Sequence, residues 1–202
     1  MYLTKRNHNY ETSTKHNSKH TTHDYRYYFP DSQRGGSAYT KVCQHSCVPY
    51  ALAWGKSILA AGNDQQITFY DSDGGLERRF DYSDPEDGKI KCKEFGCGSF
   101  NQTGDSVVVG NFDSFYTFSY SKVGDTWEEK EIKVVENMYS VTALSWKDNG
   151  STLGVGSLCG LVDCYEACVK RYSYKGFEIT YVSPSQVLIR RKSEKSSVTL
   201  KR

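Results

Sequence analysis

Proline is scarce in this chain, at four of 202 residues, and methionine scarcer still, at two. Long apolar runs are missing as well. The longest, VPYALAW at 48–54, has the length of a strand and falls far short of the roughly 18 residues a membrane-crossing helix needs. With no secretory apolar segment to read, the chain is expected to be soluble and intracellular. Catalytic signatures are lacking too: there is no G-x-S-x-G, Walker A, H-E-x-x-H or Rossmann fingerprint. Adjacent carboxylates occur only in charged stretches such as DPEDG and WEEKE, where solvation explains them. The sequence therefore points away from an enzyme, and no catalytic or cofactor-binding residue is assigned.

Cysteine is present but in an unhelpful pattern. Seven cysteines form an odd set, which suits reduced thiols better than a disulfide framework. Cys43, His45 and Cys47 lie close together, Cys92 and Cys97 follow, and Cys159, Cys164 and Cys168 come last. None forms the tight C-x2-C pairs of structural zinc sites, so no metal is assigned.

The formal net charge of +2 hides an asymmetry. Residues 1–48 carry seven Lys/Arg against three Asp/Glu, and residues 189–202 carry six against one, leaving the middle acidic. Basic ends could suggest nucleic acid, but no RGG, RNP or basic helical stripe accompanies them, and solvated flanks are the simpler reading.

What the chain does have is a repeat. The segments at 51–71, 96–120 and 142–166 share one order: a strand ending in an aromatic, a polar turn, a small branched strand closing on glycine, and an alternating strand. The aromatics are Trp54, Phe100 and Trp146, each 46 residues from the next. Several strands per unit at a period in the forties is the pattern of a propeller blade. The fold is thus expected to be all-β, an incomplete WD40-like β-propeller of about three full blades and two partial ones. Residues 1–24 read as a disordered or unrelated tail, 25–192 as the propeller segment and 193–202 as a basic tail. In the third repeat, 169–174 is expected to supply the outer strand.

Trp54, Phe100 and Trp146, with the turn residues Asp64 and Asp113, are the expected structural anchors of the blades; such an Asp typically accepts backbone hydrogen bonds across its turn. The loops at 82–94 and 121–131 are longer than a hairpin requires and strongly charged. Asp84, Glu86, Asp87, Glu128 and Glu129 are candidate partner-binding residues, since loops on a rigid scaffold are where partners dock. Trp127 is either a partner anchor or, more simply, a core residue of an outer strand.

The strings HSCVPYALAW, ILAAGNDQQI, LERRFDYS, WEEKEI, VTALSWKDNGSTLGVGSLCGLVD and FEITYVSPSQVLI resemble the N-terminal propeller region of the large WD-repeat subunits of intraflagellar transport complex B. That resemblance covers roughly residues 25–192. It implies a longer parent with two propellers and a helical-repeat tail, of which this chain is expected to be a partial product. It also implies a non-enzymatic scaffold at the cilium and ciliary base, bound to other complex B subunits and needed for cilium assembly and anterograde transport. The rival reading is a generic WD-repeat adaptor outside cilia, of the coat or ubiquitin-ligase receptor type.

Overall fold

The computed structural model describes residues 2–5, 41–83, 94–194 and 196–202. Sixteen strands and no helix occur among them. In chain order they are β1 (Tyr2–Lys5), β2 (Ala51–Trp54), β3 (Ile58–Ala61), β4 (Gln66–Tyr70) and β5 (Leu76–Asp81). Next come β6 (Cys97–Phe100), β7 (Ser106–Gly110), β8 (Ser114–Ser121) and β9 (Thr126–Val134). The last seven are β10 (Val141–Trp146), β11 (Thr152–Ser157), β12 (Val162–Cys168), β13 (Lys170–Tyr174), β14 (Phe177–Ser183), β15 (Gln186–Arg191) and β16 (Ser197–Lys201).

These strands form four antiparallel sheets of four strands each. The first (β2-β3-β4-β5) and second (β6-β7-β8-β9) are simple meanders, as short strands joined by tight turns dictate. Strand β2 lies against β6, and β6 against β10, so the first strands of successive sheets sit side by side as in propeller blades. The architecture is an incomplete β-propeller.

The inner strands β3 and β7 are buried along their whole length: β7 lies between the first and third sheets, whereas the outer face of β3, at Ile58 and Ala60, is packed beside Tyr70 and Cys43. The sequence LGVG in β11 suggests the same, but its burial alternates: Leu153, Val155 and Ser157 are buried while the residues between them are half-exposed. Among the described residues, only one face of the third sheet is covered there.

Two apolar clusters hold the first three sheets together. Between the first and second, the Trp127 ring stacks on Phe69, with centroids 4.5 Å apart and planes 10° from parallel, and Phe118, Phe80 and Tyr120 surround the pair. Between the second and third, Phe115 meets Tyr165 edge-on at 5.2 Å, beside Met138, Val141 and Leu153. Burying aromatics of this size contributes on the order of 2–3 kcal/mol each from area alone.

Three segments depart from the sequence reading. Residues 170–174 do not close the third sheet; they begin the fourth (β13-β14-β15-β16). The cause is the two-residue link Lys175–Gly176, whose φ values of 42° and 84° make a tight hairpin turn and commit β13 to pair with β14. The place beside β12 goes instead to β1, with Tyr2 opposite Cys168 and Lys5 opposite Tyr165. Part of the N-terminal stretch read as a tail thus belongs to a sheet. Near the other end, Ser197–Lys201 within the expected basic tail pairs with β15, setting Val198 opposite Ile189 and Leu200 opposite Val187. The start of the expected propeller segment, 25–40, lies outside the described residues, and Lys41 and Val42, which follow it, are not in a strand.

The fourth sheet is anchored through its turns. Ser185 Oγ donates to Asp105, Gln186 Nε2 donates to the Asn149 carbonyl, and Lys201 Nζ donates to Gln102 Oε1 at 2.8 Å. Arg171 lies 3.5 Å from both Glu166 and Glu178, linking β12, β13 and β14.

Candidate functional site

The first sheet carries the most developed surface feature. Its outer side holds a groove of about 1010 Å³, lined by Val42, Cys43, Leu52, Trp54, Ile58 and Tyr70 among others. Leu52 and Trp54 are 62% and 67% exposed. Trp54 is therefore not the buried anchor expected of it. The equivalent aromatics show why. Phe100 packs so closely on Gly55 that an added Cβ there would lie 2.4 Å from its ring, and Trp146 donates Nε1–H to the Ser99 carbonyl at 3.2 Å. Each seats on the preceding sheet, whereas among the described residues no sheet covers Trp54.

At the head of this groove a polar cluster forms from two distant segments. His45 and Cys47 come from the stretch before β2, and Asp64 from the β3–β4 turn. Gly62 permits the approach: a Cβ there would lie 2.3 Å from the Val48 carbonyl and 2.7 Å from Cys47 Sγ. The Asp64 carboxylate accepts from Ser46 Oγ and from the Gln66 N–H at 3.3 Å. Burial alone would raise its pKa, but the bonds from Ser46, Cys47 and Gln66 hold it below the usual value. The His45 side chain is only 6% exposed, with Nδ1 3.0 Å from the Tyr70 hydroxyl and Nε2 3.7 Å from Asp64. Burial pushes the His45 pKa down, against the raising effect of Asp64, so the ring is held neutral near pH 7.

The remaining sequence candidates fall in different surroundings. Asp113 supplies its backbone carbonyl to Val135 N–H at 2.8 Å, while the neighbouring turn is tied by Asn111 Oδ1, which accepts from Phe112 N–H at 2.7 Å and Glu94 N–H at 3.2 Å. Trp127 is 1% exposed, and its indole N–H reaches Ser57 Oγ at 2.9 Å and Glu77 Oε2 at 3.2 Å. It joins the first and second sheets, and burial removes it from the partner-binding candidates. Glu128 pairs with Lys130, and Glu129 accepts from the Tyr82 hydroxyl. Asp84, Glu86 and Asp87 lie outside the described residues. Sequence reasoning missed the joining of His45 and Cys47 to Asp64, which spacing alone cannot show; the available signal was a turn Asp following a His that precedes β2.

No helix among the described residues is long and apolar enough to cross a membrane. No family model matches the chain. Among solved structures, the BBS1N chain in complex with ARL6DN superposes with a TM-score of 0.45 at 14% identity, covering 61% of this chain and 35% of that one. Sequence relatives are much nearer. Intraflagellar transport protein 172 of Chlamydomonas reinhardtii is 44% identical over 167 residues, 82% of this chain and 9% of that protein. The Homo sapiens homolog is 42% identical over 177 residues, 86% of this chain and 10% of its own length. Intraflagellar transport protein osm-1 of Caenorhabditis elegans is 34% identical over 153 residues, covering 75% of this chain and 8% of that protein. Identity of this order across most of the chain, from alga to human, identifies the chain as a homologue of intraflagellar transport protein 172 that spans about a tenth of the length of those relatives.

Proposed function

We propose that this chain is a protein-binding, non-enzymatic scaffold segment of an intraflagellar transport complex B subunit, acting in the cilium and at its base in cilium assembly and anterograde transport. The observation that carries this reading is the 44% identity to the algal transport protein across 82% of the chain. The fold supports it: rigid sheets present charged turns and loops, and such surfaces hold partners without performing chemistry. The partners are other complex B subunits. The charged segment at 82–94 and the β8–β9 hairpin at 121–131, where Glu128 and Glu129 lie on β9 rather than on the expected loop, are their proposed contact points, with Asp84, Glu86, Asp87, Glu128 and Glu129 as the contact residues and Trp127 excluded.

The test is affinity purification of the epitope-tagged full chain from ciliated cells, followed by mass spectrometry. Co-enrichment of intraflagellar transport subunits supports the reading, with loss of enrichment when Glu128 and Glu129 are changed to Lys. Recovery of the folded chain without any transport subunit overturns it.

A further inference from the structure

We propose that His45, Cys47 and Asp64 form a zinc site at the head of the first sheet. Their three ligand atoms, an imidazole nitrogen, a thiol sulfur and a carboxylate oxygen, all lie within 4.8 Å of one another. Tetrahedral ligands on bonds of about 2.0–2.3 Å sit roughly 3.3–3.6 Å apart, so small side-chain rotations bring all three onto one ion.

The pointer to a ligand is His45 Nε2. Its side chain is 94% buried, yet this nitrogen has no hydrogen-bond partner. Asp64 stands across from it at 3.7 Å, beyond hydrogen-bonding length and near the spacing of two ligands on one metal. The opposite nitrogen, Nδ1, lies 3.0 Å from the Tyr70 hydroxyl oxygen. With Nδ1–H donating to that oxygen, Nε2 presents its lone pair to the cluster, the orientation that an outer partner imposes on metal-bound histidines. An ion there would also satisfy the buried nitrogen, whose desolvation is otherwise uncompensated.

The donor set suits zinc. One sulfur, one imidazole and one carboxylate make a borderline-soft site, and three protein ligands leave a fourth position. That position opens on the groove that His45 and Cys47 themselves line, where water can enter. Binding converts the Cys47 thiol to thiolate and releases its proton to solvent. The ion would clamp the segment before β2 onto the β3–β4 turn, adding rigidity to the head of the sheet. No step of catalysis is implied.

The test uses the purified full chain, freed of metal, and zinc chloride as the probe. Competition against a chromophoric chelator is expected to show one zinc bound per chain. Cys47→Ser is expected to weaken binding by more than the roughly tenfold that losing even an outer partner costs, while the exposed Cys164→Ser leaves it unchanged. Cobalt substituted for zinc is expected to give a thiolate charge-transfer band that Cys47→Ser abolishes. A second readout needs no variant: saturating zinc slows iodoacetamide modification of Cys47, followed by peptide mass spectrometry, and leaves Cys164 as reactive as before. Absence of stoichiometric zinc, affinity indifferent to Cys47→Ser, or unprotected Cys47 overturns the proposal. In any of those cases the three residues serve only to hold the turn.

Discussion

At the scale of single residues, Trp127 joins the first two sheets through both its ring and its indole N–H. Trp127→Ala removes the stack on Phe69 and the indole N–H that reaches Ser57 and Glu77, leaving Ser57 Oγ still donating to Glu77. It should lower unfolding free energy by about 3–5 kcal/mol, read from urea denaturation. Trp127→Phe keeps most of the ring and should cost clearly less. The second residue-scale expectation concerns thiols. Burial pushes the Cys97 thiol up to about 11 from an ordinary value of 9.0, so it stays protonated at pH 8 and should alkylate far more slowly than exposed Cys164. The unfolded chain loses this proton first as pH rises, so native stability from Cys97 is complete below pH 9 and declines between about 9 and 11. Urea midpoints across that range, compared with Cys97→Ala, isolate the contribution. Residue identity alone made Trp127 readable as core or contact, and only burial decides between them. Trp54 misled in the opposite direction: its pattern matches Phe100 and Trp146, but a pattern does not show whether a neighbouring sheet arrives to cover it.

At the scale of elements, strands β2 to β12 were legible because alternation, small branched strands and turn residues repeat every 46 residues. What was hidden is pairing across long sequence distances. Nothing in YLTK announces that β1 completes a sheet with β12, more than 150 residues away. The local determinant that displaced β13 was present, however, in the Lys175–Gly176 link. Gly176→Val should cost about 1–2 kcal/mol, because a β-branched residue at φ 84° is strained. Hydrogen exchange should then quicken in β13 and β14 and leave β3 and β7 unchanged. Uniform quickening across all sheets would contradict the hairpin as the organiser of the fourth sheet.

At the scale of the whole molecule, the first sheet presents a large apolar face. Exposed patches of this kind bind apolar dyes and neighbouring proteins. The paired change Leu52→Ser and Trp54→Ser should lower 1-anilinonaphthalene-8-sulfonate fluorescence sharply while shifting stability by no more than about 0.5 kcal/mol, since both side chains are already solvated. Unchanged dye binding would place the apolar surface elsewhere. The family was legible from short strings, whereas the zinc cluster was not, because Asp64 reaches His45 and Cys47 only after β3 folds back on β2. The central claim is that this propeller segment belongs to the moving transport machinery. Live imaging of the fluorescently tagged full chain in ciliated cells tests it most directly. The account predicts processive puncta travelling outward along the cilium together with other transport subunits; diffuse signal confined to the cell body, from a chain shown to be folded, would contradict it.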